Sequence, residues 1–491
     1  MILAVTLAGC VLIALCGFVG RRRPSATLAE WTVGGRSFGA YTMWFLQAGE
    51  VFTTFTFLAV AGFAFAGGVA ATYAIPYLPI AFIACYFLTP RVWELGHRHG
   101  YLTQADFFAD RYRSRGFGRF TAIIAVVFLL PYLQIQITGL GAVVLLLTGS
   151  EQGRTWAMIL AGVLTVAFVL WSGIRGIANT AYLKDVLMLV AMLVLVIAVP
   201  AHFAGGIGPM FADLAAHRPE LLTVPSHTET GTFTKLWWVT GVMISAVAVG
   251  SLATAHQWPA YLSAKGKKPL RQNFTWLPIY QVVIILPVII GFAGLYLEPR
   301  PDDSNGVLLL LAHDALPGWL TGVIAVAAAS SAMVPAGVLC LSMSSLIAHN
   351  VAGLRSERAK LWLNHSVVVV ATAASLYLAL ARPDLLGNLL LLTFAGLAQL
   401  APAILAAIGR RRHLGLPAAC SGLVVGVLVL WQITATAPNL DGVHPGVIAL
   451  GANLAVAAVV ELALRAAGRS GTVVLDEDDA DPHTTTSRSN A

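Results

Sequence analysis

Runs of about twenty apolar residues recur from Ile2 to Leu464, and a run of that length crosses a bilayer as a helix, because a helix satisfies its own backbone bonds where water is absent. With 58% hydrophobic and only 11% charged residues, a chain of 491 residues has too little polar surface to coat a soluble globule. The fold class expected is an all-α polytopic membrane protein. Thirteen spans can be read, the first Ile2 to Gly20 and the last Val447 to Leu464. Those that matter below are the second (Tyr41 to Ala66), the fifth (Trp156 to Trp171), the sixth (Val186 to Phe203), the seventh (Trp237 to Tyr261), the ninth (Trp319 to Ile347) and the eleventh (Leu385 to Ile408). With the amino terminus outside, 25 of the 30 Lys and Arg fall in cytoplasmic segments and 5 outside, Lys184 being counted among the cytoplasmic ones. That bias orients the chain, with its carboxyl terminus in the cytoplasm.

The net charge of +7 is dispersed over span ends, which argues against nucleic acid as a partner. Cys10, Cys16, Cys85, Cys340 and Cys420 lie scattered in apolar spans without CxxC spacing, so neither disulfides nor a structural metal or other cofactor is expected. Leu7 to Cys10 spells a lipoprotein-like box, yet Arg21 to Arg23 follow the apolar run and no positive residue precedes it; residues 1–24 are read as a retained helix. Residues 470–491, with the acidic run Asp476 to Asp479, are expected to be a disordered tail.

Glu50 stands out as the only carboxylate read as deep inside a long apolar segment, directly after Gly49. A charge at membrane depth is unfavourable by roughly 3 kcal/mol or more and marks an ion, proton or solute path. Thr53, Thr54 and Thr56 continue the polar character, so the second span reads as a broken helix lining a site. The seventh span carries a comparable soft point around Ser245, Gly250 and Ser251. Interrupted helices in corresponding positions of two halves point to an inverted-repeat transporter, although Gly and Ser also serve simple close packing.

Several strings in order along the chain carry a resemblance: GEVFTTFTFLAVAG (Gly49 to Gly62), AIPY (Ala74 to Tyr77), RHGYLTQADFFADRYRSR (Arg98 to Arg115), YLQIQITGLG (Tyr132 to Gly141), SGIRGIANTAYLKD (Ser172 to Asp185), SAKGKKPLRQNFTWLPIYQ (Ser263 to Gln281), SAMVPAGVLCLSMSSLIAHNV (Ser331 to Val351) and GLAQLAPA (Gly396 to Ala403). From about Gly34 to Pro402 the chain resembles the sodium:solute symporters, with the VPA version of the ninth span similar to their monocarboxylate-permease branch. The resemblance implies a LeuT-like core of five plus five helices over residues 25–409, with two further helices in 410–469. It further implies a sodium ion between the unwound second span and the ninth, held by the carbonyls of Gly49, Phe52 and Ala327 and the hydroxyls of Ser330 and Ser331. Those hydroxyls have a simpler fate, bonding back to the preceding turn.

Glu50 has three readings: negative charge beside sodium, a proton carrier, or a contact to substrate; a structural bond to Gln134 or Gln136 is the plain alternative. Thr53, Thr54, Thr56, Gln134, Gln136, Ser245 and Gln399 are polar in apolar spans and are candidates for the solute cavity. His256 is a gate, a cap or a relay. The Arg98 to Arg119 loop, with Tyr101, Phe107, Phe108 and Tyr112, reads as an interfacial helix on the inner leaflet.

The function expected is cation-coupled symport of a small organic solute by alternating access, in a multi-pass protein of a bacterial plasma membrane. A monocarboxylate or related small acid or amino acid leads as substrate on resemblance; sodium leads as coupling ion and the proton is second. Outside transport, a transporter-like sensor is disfavoured because only a short tail follows the last span, and a haem enzyme because the histidines are not paired across spans. No enzymatic activity is expected.

Overall fold

The computed structural model describes residues 2–19, 27–148, 153–224, 226–228, 231–299, 301, 304–354, 356–381, 386–469 and 473–475. Among these, ten helices are long and apolar enough to cross a membrane, and Ile2–Gly17 and Met158–Trp171 are shorter apolar helices. The buried core is a layer of helices around Gly318–Ser345, every residue of which from Ala327 to Ser345 is buried. The helix Ile2–Val19 packs on it through glycines: a side chain at Gly9 would overlap Val326, and one at Gly322 would overlap Val5.

The second span is broken where expected. The helix Ala40–Val51 ends at Phe52, whose φ −84°, ψ 84° is not helical, and the chain resumes as a π-helical turn, Phe55–Ala59, before Val60–Gly67. Threonines repair part of the lost bonding: Thr53 Oγ1 accepts from the Phe55 amide at 3.0 Å, and Thr56 Oγ1 donates to the Val51 carbonyl at 3.2 Å. The seventh span breaks a turn later than its Gly and Ser residues suggest. Lys235–Gly250 is continuous through Ser245, and the interruption falls at 251–254, with Leu252 at φ 63°, before the chain resumes through the short turn Ala255–Gln257 into Trp258–Ser263.

Two expectations about loops are overturned. The stretch between the fifth and sixth spans is helix: after a single non-helical, positive-φ residue at Gly173 (φ 54°, ψ −179°) the chain is helical through to Ala204, and a side chain at Gly173 would press on Trp31. Thirty-two residues of helix are roughly 48 Å long, more than a bilayer core requires, and the extra turns carry Lys184 and Asp185 into the protein. Both are buried, so Lys184 is not in a cytoplasmic loop and Glu50 is not the only carboxylate at depth.

The Arg98 to Arg119 loop turns its aromatic side chains into the protein and not toward lipid. Its helix, Gln104–Arg111, is opened by a Thr103–Asp106 capping box, and Tyr101, Phe107, Phe108 and Tyr112 are all buried in protein. Phe107 packs on Trp258, Arg111 Nε donates to the Ala407 carbonyl at 2.8 Å, and Asn350 donates to Asp106 at 2.6 Å. Burial works against the Asp106 carboxylate, but bonds from His349 and from the Leu102 and Thr103 amides outweigh it and hold its pKa below the ordinary value.

The C-terminal helices Leu416–Thr436 and Pro445–Ala466 pair with each other. Beyond them Val473–Val474 form a short antiparallel strand with Arg411–Arg412, inside a stretch expected to lack structure. Arg21 to Arg23 and the rest of the expected tail, 470–472 and 476–491, lie outside the described residues.

Candidate functional site

Breaking a helix frees carbonyls, and inside a membrane they must find donors. At the second break one donor is distant in sequence and one is local: Gln104 Nε2 donates to the carbonyls of Leu252 at 2.8 Å and Ala253 at 3.0 Å, and Trp258 Nε1, six residues on, to Leu252 at 2.8 Å. At the first break the donor is Lys184. Its ammonium donates to the Gly49 carbonyl at 2.9 Å, to the Phe52 carbonyl, and to Asp185 Oδ1 at 3.0 Å. Lys184 is wholly buried and Asp185 nearly so. An ammonium has three N–H donors and no acceptor, and all three have partners here. The fit depends on Gly49, since a side chain there would crowd Ala181 and approach the Asp185 carboxylate.

A sodium ion at the same carbonyl pair fits this arrangement poorly. Two unit positive charges 4 Å apart repel by about 4 kcal/mol at an effective dielectric of about 20, before any competition for the carbonyl lone pairs. From the ninth span, the Ser330 hydroxyl donates to the Ala327 carbonyl at 2.8 Å and that of Ser331 to Ala328 at 2.7 Å, each within its own turn. Hydroxyl oxygens remain able to accept or ligate, but the two Gly49 and Phe52 carbonyls already hold a cation.

Sequence reasoning missed Lys184 and Asp185, although a signal was available. Ile174, Ile177, Ala178, Ala181, Lys184, Asp185 and Met188 are all buried and recur at the three- and four-residue spacing of one helical face. Hydropathy averages dismissed them as a loop because Arg175, Asn179, Thr180 and the charged pair fall in one window.

Glu50 is placed between the two breaks. Its Oε1 lies 3.4 Å from His256 Nε2, and His256 sits in the turn that follows the second break. Among the described residues neither carboxylate oxygen has a hydrogen-bond partner, and nor does His256 Nδ1. Tyr132 stands edge-on to the His256 ring with centroids 5.3 Å apart. The hydroxyls of Thr54, Ser245 and Ser251 are likewise buried and without partners among the described residues. So many polar atoms near two opened helices suit a site that handles a polar cargo or a proton.

The remaining candidates divide. Gln134 and Gln136 are buried on the helix Arg115–Thr148; Gln136 Nε2 donates to Tyr132 at 3.2 Å and its Oε1 is left without a partner. Thr53 and Thr56 are engaged in repairing the break. Gln399 bonds elsewhere: it donates to the Ala395 and Gly446 carbonyls, while Asn453 donates to its carbonyl at 2.8 Å, which fastens the C-terminal pair to the core. A cleft of about 570 Å³ opens between Ala40–Val51 and Lys267–Gln281, lined by Ala40, Tyr41, Trp44, Asn273, Trp276 and Tyr280 among others. Tyr280 also packs on Phe52, with ring centroids 4.3 Å apart, so the cleft's inner wall is the first break.

The profile of the sodium:solute symporter family matches residues 31–426. An uncharacterised symporter of Bacillus subtilis, YhjB, is 31% identical over 92% of this chain and 94% of its own length. A monocarboxylate transport permease protein of Rhizobium johnstonii is 28% identical over 71% of this chain and 70% of its own. Among solved structures, the substrate-bound, outward-open state of a sodium-coupled sialic acid symporter superposes with a TM-score of 0.79 at 17% identity, covering 96% of this chain and 99% of that one. The fold is therefore that of the LeuT-like symporters.

Proposed function

Because the chain belongs to the sodium:solute symporter family, we propose that it is a secondary active transporter that moves a small organic solute together with a cation by alternating access. The observation that carries the proposal is the meeting of two interrupted helices at Glu50 and His256, two buried ionisable groups 3.4 Å apart with polar atoms left for a cargo. Interrupted helices at the centre of a span expose backbone to a solute while the surrounding bundle rocks about them. A monocarboxylate or a related small acid or amino acid is the leading substrate class, supported by kinship to the permease of Rhizobium johnstonii. Sodium is the coupling ion that family membership supports. A second reading, proton coupling, is favoured by one observation: Glu50 faces an imidazole with both its oxygens otherwise unbonded. The plasma membrane of a bacterial cell is the expected location.

Purified protein in liposomes decides between these readings. Labelled carboxylates, amino acids and sugars are offered under separately imposed sodium and proton gradients. Accumulation of one solute class under one gradient is the result expected; equilibration of none of them above protein-free liposomes overturns the transporter reading.

A further inference from the structure

We propose that the Lys184 ammonium is the resident cation of the first break, standing where a sodium ion would otherwise be held, so that this carbonyl pair works without sodium. The inference rests on the transporter reading only for its meaning in transport; the occupancy itself is a matter of binding. Three features support it. The ammonium has all three of its donors engaged, two of them by the carbonyls freed when the helix opens at Gly49 to Phe52. Asp185, adjacent in sequence, neutralises it, so the pair enters the interior without net charge, and the second carboxylate oxygen is left without a partner among the described residues. The second break handles its freed carbonyls in the same manner, with Gln104 and Trp258 as built-in donors. Both breaks are thus closed by the protein's own side chains.

A tethered ammonium differs from a sodium ion in one decisive respect: it cannot leave. An ion that dissociates on one side of the membrane transmits a gradient, whereas Lys184 holds the opened helix Ala40–Val51 to the helix that carries it through a bond that does not depend on external sodium. Whatever ion drives transport acts elsewhere in the molecule.

The same geometry states what removal of the lysine does. In Lys184→Ala, two carbonyls and the Asp185 carboxylate converge on the volume the ammonium leaves, an oxygen-rich and negatively charged cradle of the kind a hard monovalent cation prefers. Binding of radioactive sodium and thermal stability in sodium chloride against potassium chloride at equal ionic strength are compared for four purified proteins: the wild type, Lys184→Ala, the double variant Ser330→Ala/Ser331→Ala, and the two sets combined. The expected result is that Lys184→Ala gains a saturable sodium site absent from the wild type, with a melting temperature raised by a few degrees in sodium over potassium. Should the variant be too unstable to purify in potassium, sodium should rescue its folding, which is the same readout. Two results overturn the proposal. One is saturable sodium binding in the wild type that Ser330→Ala/Ser331→Ala abolishes, since the ion would then share the site with the lysine. The other is Lys184→Ala that gains no sodium binding and is equally stable, or equally unstable, in both salts. None of these measurements requires uptake, so a failure of the transporter reading would show separately, as liposomes that accumulate nothing.

Discussion

Glu50 and His256 are buried, face each other at 3.4 Å, and each retains polar atoms with no partner among the described residues. An arrangement left unsatisfied in a bare protein is destabilising by about 1 to 3 kcal/mol per group, and persists where a ligand or a proton completes it. Glu50→Gln tests which. The amide keeps the shape and loses the charge, so solute counterflow between liposome interior and exterior should continue while gradient-driven accumulation fails; the gradient that ceases to act identifies the coupling ion. Wild-type accumulation under both gradients would reduce Glu50 to a structural residue. Glu50 was legible because it is a single carboxylate in an apolar run. Lys184 and Asp185 were not, because a lysine beside an aspartate in a stretch with Arg175, Asn179 and Thr180 reads as a loop until the helical spacing of its apolar neighbours is followed. A lysine satisfied by carbonyls 135 and 132 residues away leaves no local mark at all.

At the scale of elements, the first break was legible in position and the second only approximately, and the difference has a physical cause. Gly49-Glu50 places a flexible residue and a charge at the point of opening. Ser245 and Gly250 do not by themselves open a helix: Gly250 is where the backbone passes close to Ala81, and the opening follows at Leu252, where Gln104 from outside the span and Trp258 from beyond the break hold the freed carbonyls. Gln104→Leu removes the donor to both Leu252 and Ala253, so it should destabilise the protein by about 1 to 3 kcal/mol, the penalty for a buried acceptor left unbonded, read as a lowered melting temperature in detergent. Unchanged stability would mean that water or a rearranged neighbour replaces the glutamine. The aromatic loop was misjudged for a related reason. Alternating aromatic and charged residues suit a lipid interface and a protein interface equally, and only the partners, Trp258 for Phe107 and the Ala407 carbonyl for Arg111, distinguish them. Asn453→Leu belongs to this scale too. It breaks the bond to Gln399 and should loosen the C-terminal pair, seen as faster proteolysis beyond Arg412, while solute affinity stays as in the wild type.

In the whole molecule the cleft lined by Ala40, Trp44 and Tyr280 leads inward to Phe52. By the distribution of basic residues the Ala40 end of that helix is expected to face the cytoplasm, together with Arg36 and Lys265. Lys184 joins the opened helix at its inner end, so the cleft can widen or close either by movement of Lys267–Gln281 or by moving Ala40–Val51 together with, or against, the helix carrying Lys184. Alternating access then requires the cleft to be wet in one state and shut in the other. In a background with the five native cysteines replaced, Ala40→Cys and Gln272→Cys stand on opposite walls of the cleft. A charged, membrane-impermeant thiol reagent should modify both from the cytoplasmic side of inverted vesicles, and not from the outside of right-side-out vesicles. Crosslinking the two walls should stop gradient-driven uptake where the cleft is the path by which the solute leaves. Modification at equal rates from both sides would show an open pore in place of an alternating one, and uptake undiminished after complete crosslinking would remove the cleft from the transport path.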